Sequence, residues 1–151
     1  MRSILLRVDG SSQIGLGHLM RCVAIAQEFR QKGMNPVFVL KYYDEKVLQF
    51  IEGLGFGIEQ VERNEDFYRD AGSLLGIAER HNAQIVIMDL SHPVTVANVK
   101  GFARYLKELK AKGHYLVGID GGLPHDCICA MEEIDADIVV VPYFDSEKGV
   151  Y

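Results

Sequence analysis

Ser3-Ile-Leu-Leu-Arg-Val8 is followed by Asp9-Gly10, then by Ser11-Ser-Gln-Ile-Gly15-Leu-Gly17-His18-Leu-Met-Arg21. A short, mostly apolar run stops at an aspartate and a glycine, and a short glycine-bearing loop leads into residues of helical spacing. Leu19, Cys22, Val23, Ala26 and Phe29 recur at intervals of three and four, the mark of a helix with one buried face. Lys32-Gly33 supplies a stop for that helix. The stretch therefore reads as strand, loop and helix.

The same unit recurs along the chain. Pro36–Lys41 reads as a second strand and Asp44–Leu54 as a helix closed by Gly55. Gly57–Val61 reads as a short third strand, and Phe67–Asn82 as a helix with Leu74, Leu75, Ile77 and Ala78 inward. Ile85–Met88, ending at Asp89, reads as a fourth strand, and Val94–Lys112 as a long helix ending at Gly113. Tyr115–Ile119, ending at Asp120, reads as a fifth strand and Ile138–Val141, ending at Pro142, as a sixth. Regular alternation of β-branched strands with helices predicts an α/β fold, a Rossmann-like doubly wound parallel sheet of about six strands. No linker, repeat or low-complexity tract divides it, so residues 1–151 read as one domain.

Composition narrows the function. The chain has 151 residues, 48% hydrophobic and 25% charged, with a net charge of −5. That suits a globular domain with a real core and argues against nucleic acid held by bulk positive charge. No apolar run approaches the ~20 residues of a membrane span, and Met1–Asp9 lacks the pattern of a signal peptide. The expected location is cytoplasmic, with no membrane partner. Of the three cysteines, Cys127 and Cys129 with His125 offer a partial metal set. No fourth ligand is evident, so no metal is expected.

In a doubly wound sheet, ligands bind beyond the carboxyl ends of the strands. Asp9, Asp89 and Asp120 end three strands and are expected to project into one crevice, with His92 and Tyr143 on the same side. The first loop is the expected anion site: Gly15 and Gly17 permit close backbone approach, and the helix start offers free N–H groups. It is neither of two common phosphate loops. His18 stands where a Walker A loop has lysine, and Met20 where a dinucleotide fingerprint has its last glycine. His18 lies in the first helical turn, where the dipole disfavours a cationic ring, so a neutral imidazole able to accept a proton is expected. Arg21, three residues on, is expected to bind a phosphate or sugar oxygen or to pair with Asp9. His81, at a helix end, is expected to be solvated, and His114 begins a strand.

The run Arg7-Val-Asp-Gly-Ser-Ser12-Gln-Ile-Gly15-Leu-Gly17-His18-Leu-Met-Arg21-Cys resembles the first βα unit of the nucleotide-sugar hydrolases of pseudaminic acid biosynthesis. Those enzymes remove UDP from UDP-2,4-diacetamido-2,4,6-trideoxy-β-L-altropyranose. The related spore-coat polysaccharide biosynthesis proteins are similar too. Weaker similarity extends through Met88-Asp89, Ile119-Asp120 and Ala136–Tyr143. The resemblance implies one half of a GT-B-like fold, the amino-terminal half that carries the loop histidine and much of the sugar site. It implies His18 as the residue that activates water at the anomeric carbon, Gly15 and Gly17 as points of close approach, and Ser12 and Arg21 as substrate-orienting groups. UDP is a good leaving group, so no cofactor or metal is implied. The nucleotide-binding carboxy-terminal domain of that family lies outside these 151 residues. The partners implied are a UDP-sugar and a second domain, a partner chain or a second copy to complete the cleft. An exposed apolar patch is expected where that partner packs.

Two other readings remain open. One is glycosyl transfer on the same scaffold, since water and an acceptor hydroxyl need the same base. The other is a binding module without catalysis. Leu90-Ser91-His92-Pro93 stands where relatives carry an aromatic residue, and Asp120-Gly121-Gly122 where they carry paired acids, and both departures favour the module.

Overall fold

The computed structural model describes residues 2–63, 67–89, 107–119 and 136–140. Six strands form one sheet: β1 (Ser3–Val8), β2 (Asn35–Leu40), β3 (Gly57–Gln60), β4 (Ala83–Asp89), β5 (Tyr115–Ile119) and β6 (Ile138–Val140). Their order across the sheet is β3-β2-β1-β4-β5-β6, and every pairing is parallel. The helices are α1 (Gly17–Gln31), α2 (Glu45–Gly53) and α3 (Phe67–Arg80). Residues 107–111 are helical as well. This is the expected doubly wound, Rossmann-like architecture.

Side-chain alternation along the strands builds two cores. Ile4, Leu6 and Val8 of β1 and Phe38 and Leu40 of β2 pack with Leu19, Cys22, Val23 and Ala26 of α1 and Val47 and Ile51 of α2. Leu5, Val37 and Val39 face the other way, onto Leu74, Ile77 and Ala78 of α3 and onto Leu109. Successive strand residues point to opposite faces, so a strand buried on both sides is apolar on both, as β1 is at Ile4, Leu5, Leu6 and Val8; its buried Arg7 is paired with Asp9. The helix positions expected to face inward do so, with Leu75 at the margin of the cluster.

The boundaries shift by one or two residues. β4 begins at Ala83 and includes Asp89, so that aspartate belongs to the strand and not to the loop after it. The helix expected over Phe67–Asn82 stops at Arg80, and Asn82 adopts a left-handed φ of 47°. Asp44 is the N-cap of α2, accepting from the Val47 N–H at 3.1 Å, which is the ordinary use of aspartate there. Of the helix expected over Val94–Lys112, the described residues 107–111 are helical. No helix among the described residues is long and apolar enough to cross a membrane.

Strand order sets where a ligand can sit. The chain winds from β1 outward to β2 and β3, then returns to place β4 against the other side of β1. The strand order thus reverses between β1 and β4, and in such sheets ligands bind beyond the carboxyl ends of the strands at that point.

Candidate functional site

His18 comes to this end of the sheet from the first turn of α1, Arg21 from the turn after it, and Asp89 from the last residue of β4. His18 Nδ1 lies 2.6 Å from Asp89 Oδ1. Arg21 donates from Nε to Asp89 Oδ2 at 2.7 Å and from a terminal nitrogen to Oδ1 at 2.8 Å, a two-pronged guanidinium–carboxylate pair. The same Arg21 nitrogen stands 3.2 Å from His18 Nδ1. Asp89 itself is fully buried.

Burial works to raise the Asp89 carboxyl. Hydrogen bonds from His18 and Arg21, and the Arg21 charge, outweigh it and hold the group below the usual carboxylate range. Asp89 is thus an ionised acceptor, and a 2.6 Å contact with it requires the proton on His18 Nδ1. In the neutral ring that leaves Nε2 with the free lone pair. The Cys22 thiol sits 3.9 Å from Asp89 on the buried side. Burial first, then the neighbouring carboxylate, pushes that thiol far above its ordinary range, so it is inert as a nucleophile.

The loop before α1 is a closed turn. The Gly15 N–H donates to the Ser11 carbonyl at 2.9 Å, and Ser11 Oγ accepts from the N–H groups of Gln13 and Ile14. Gly15 carries φ of 89°, a conformation that a side chain would strain. Gly10 is required for a different reason: a Cβ there would stand 3.0 Å from Leu19 Cβ, so its bareness lets α1 pack against the end of β1. The α1 terminus has no side-chain cap and no acidic residue in its first turn. Its first N–H groups are left for a ligand.

Asp9 has another task than the one expected. It is 3% exposed, takes both terminal nitrogens of Arg7 at 2.6 and 3.2 Å, and accepts from the backbone N–H groups of Lys41 and Tyr42. It ties the end of β1 to the end of β2 instead of standing open to the crevice. The expected alternative of an Arg21–Asp9 pair is replaced by Arg21–Asp89. His81, expected to be solvated, is half-buried with Nε2 2.6 Å from Glu59. His92, Asp120, His125, Cys127, Cys129 and Tyr143 lie outside the described residues.

Two clefts flank the loop. One, of about 230 Å³, is lined by Leu16, Leu19 and Met20 of α1 and its cap and by Lys46, Val47 and Phe50 of α2. The other, of about 260 Å³, is lined by Ser11, Gln13, Ile14, Tyr42, Tyr43 and Arg63. Ser12 and Asp44 line both, joined by a 2.8 Å bond from the Ser12 N–H to Asp44 Oδ2. Ser12 thus reaches the site partly through its backbone. Tyr43 and Asp44 belong to the segment Lys41–Asp44 that ends the second strand on the ligand side, as its sequence position implies; Arg63 carries no signal in the sequence that would single it out.

No family model matches the chain. Over 109 residues it is 27% identical to an uncharacterized protein of Methanocaldococcus jannaschii, a match covering 72% of this chain and 20% of that protein. Three solved structures share the fold. MurG of Acinetobacter baumannii superposes with a TM-score of 0.66 at 10% identity, over 92% of this chain and 40% of that one. A glycosyltransferase of Rickettsia africae gives 0.60 at 12%, over 82% and 31%. dTDP-glucose 4,6-dehydratase of Bacillus anthracis, solved with NAD, gives 0.54 at 13%, over 83% and 41%. The chain is a Rossmann-like domain with the architecture of one half of a GT-B-like fold, and it spans less than half of each of these proteins.

Proposed function

We propose that this domain is the sugar-handling, catalytic half of a nucleotide-sugar hydrolase, releasing UDP from a diacetamido-trideoxy-hexose for bacterial surface polysaccharide or nonulosonic acid synthesis. The observation that carries the reading is the buried Asp89 carboxylate on His18 Nδ1 at 2.6 Å. It orients the ring, selects the tautomer with a basic Nε2, and stabilises the imidazolium formed when that nitrogen takes a proton. Water held at Nε2 attacks the anomeric carbon, its proton passes to Nε2, and the glycosidic C–O bond breaks with its electron pair leaving on UDP. The uncapped start of α1 suits the negative charge gathering on the diphosphate. Arg21 holds Asp89 ionised throughout. A second domain, a partner chain or a second copy supplies the nucleotide contacts.

A second reading is glycosyl transfer, with a sugar hydroxyl in place of water. It is favoured by the fold shared with MurG and with the Rickettsia glycosyltransferase, and by the cleft space on either side of Ser12.

The test is UDP release from UDP-2,4-diacetamido-2,4,6-trideoxy-β-L-altropyranose without acceptor, alone and with a nucleotide-binding domain added, against His18→Ala. Release that depends on His18 supports hydrolysis. Consumption of the sugar nucleotide only when an acceptor is added supports transfer. Binding that survives His18→Ala, with no turnover under any condition, would leave a binding module and overturn both.

A further inference from the structure

A buried carboxylate against an imidazole favours the cationic ring, and a cationic ring cannot act as a base. The surroundings of Asp89 counter that pull. Asp89 Oδ1 accepts from His18 Nδ1 at 2.6 Å and from a terminal nitrogen of Arg21 at 2.8 Å. Oδ2 accepts from Arg21 Nε at 2.7 Å. The two donors that share Oδ1 stand 3.2 Å apart. A guanidinium is charged at every working pH, so a proton added at His18 Nε2 would put a second cation beside it.

The charges around the pair act in the same direction. One carboxylate and one guanidinium are neutral together, and protonation of His18 would leave two cations against one anion. On α1 the Cys22 thiol stays protonated, and the first turn carries no acidic residue. The positive end of the α1 dipole also disfavours an imidazolium. On β4, Asp89 is the sole charged residue. At the end of β1, Asp9 is engaged by Arg7, and Lys41, just after β2, is a further cation. Among the described residues Asp89 is the one carboxylate paired with His18. We infer that Arg21 is the positioning residue that keeps His18 a neutral base, holding both oxygens of Asp89 so that the carboxylate orients the ring without charging it. Arg21 thereby works inside the protein, in place of the substrate-orienting role that the sequence resemblance implied. The inference rests on the proposed reading of His18 as a base, and its test reads the ring directly.

The test is an NMR pH titration of the His18 ring in the intact chain, its signal identified by its absence in His18→Ala. Arg21→Gln removes the cation and keeps a donor for Asp89. It is expected to raise the titration midpoint, a gain of at least about tenfold in proton affinity. Arg21→Lys keeps the charge and should hold the midpoint near that of the unsubstituted chain. Asp89→Asn leaves the guanidinium unopposed and should lower it. A purely structural Arg21 would lower the unfolding temperature in both Arg21 variants without moving the midpoint. A midpoint unmoved by Arg21→Gln, or raised as far by Arg21→Lys, overturns the inference. Should Arg21→Gln misfold, a midpoint raised or unchanged by Asp89→Asn overturns it equally. In UDP release, the acid limb of the pH profile should move up with the midpoint in Arg21→Gln. A raised KM with an unmoved limb would make Arg21 a substrate ligand and overturn the inference. Titrations that behave as expected in a chain that releases no UDP support it and count against the hydrolase reading alone.

Discussion

Asp89 Oδ1 stands 2.6 Å from His18 Nδ1, across 71 positions of sequence. The pair exists because β4 lies directly against β1, which brings the last residue of one strand beside the helix that follows the other. Arg21, one turn along α1, fastens both oxygens of the same carboxylate. The consequence is a histidine with one nitrogen committed to the protein and the other to the crevice.

Removing the imidazole should separate chemistry from folding. His18 belongs to neither core but donates to the buried Asp89 carboxylate, so His18→Ala is expected to cost about 1–3 kcal/mol of stability. Loss of a general base costs about 10²–10⁴ in rate. Thermal unfolding beside UDP-release kinetics checks both numbers, and a stability unchanged by the substitution would refute the His18–Asp89 bond.

Asp89→Asn should do the reverse in part. The amide keeps the shape but not the charge, and Arg21 and His18 lose their ionised acceptor. Breaking a buried ion pair costs about 3–5 kcal/mol; because Arg21 is 21% exposed, about 2–3 kcal/mol is expected here. Denaturant unfolding measures it.

The pH dependence follows from the same group. Asp89 is held below its ordinary value in the folded state, so its contribution to stability is fully present above the unfolded carboxyl value near ~3.9. It is lost as pH falls through the lower folded value. The wild-type chain should lose stability on the acid side more steeply than Asp89→Asn, with the two curves converging toward low pH. Parallel curves across that window would show that Asp89 does not titrate in this way.

The glycines of the loop should fail for different reasons. Gly15→Ala places a side chain at φ of 89° with open space around it, and the strain of about 1–2 kcal/mol is purely backbone. Gly10→Ala has ordinary freedom but drives a Cβ to 3.0 Å from Leu19, an overpacking cost of about 1–3 kcal/mol. Adding Leu19→Ala removes the 3.3 Å contact with Leu19 Cδ2 but keeps the 3.0 Å one with its Cβ, so it should relieve little of the second defect and none of the first.

Cys22 should be silent to thiol reagents in the folded chain. It is fully buried beside a carboxylate, and both effects favour the protonated thiol. Mass-spectrometric mapping with iodoacetamide is expected to find this position unmodified until denaturant is added; ready modification under native conditions would contradict the packing of α1 on the sheet.

Periodicity alone determined the layers and the register of burial. Ile4, Leu5 and Leu6 are apolar at consecutive positions because β1 is covered on both faces, and helical spacing marked Leu19, Cys22, Val23 and Ala26 as the residues that cover one of them. The glycine-bearing turn before His18 was legible for the same local reason: positive φ and close approach restrict which residue can stand there. Strand order and the partners of charged groups were decided by the tertiary structure. Asp9 and Asp89 look alike in sequence, each ending an apolar strand. Asp9 meets Arg7 and the backbone of β2's end, whereas Asp89 meets α1 where the strand order reverses. A carboxylate's role is set by the donors that burial brings within hydrogen-bond reach, and those donors lie up to 71 residues away, beyond anything local spacing encodes.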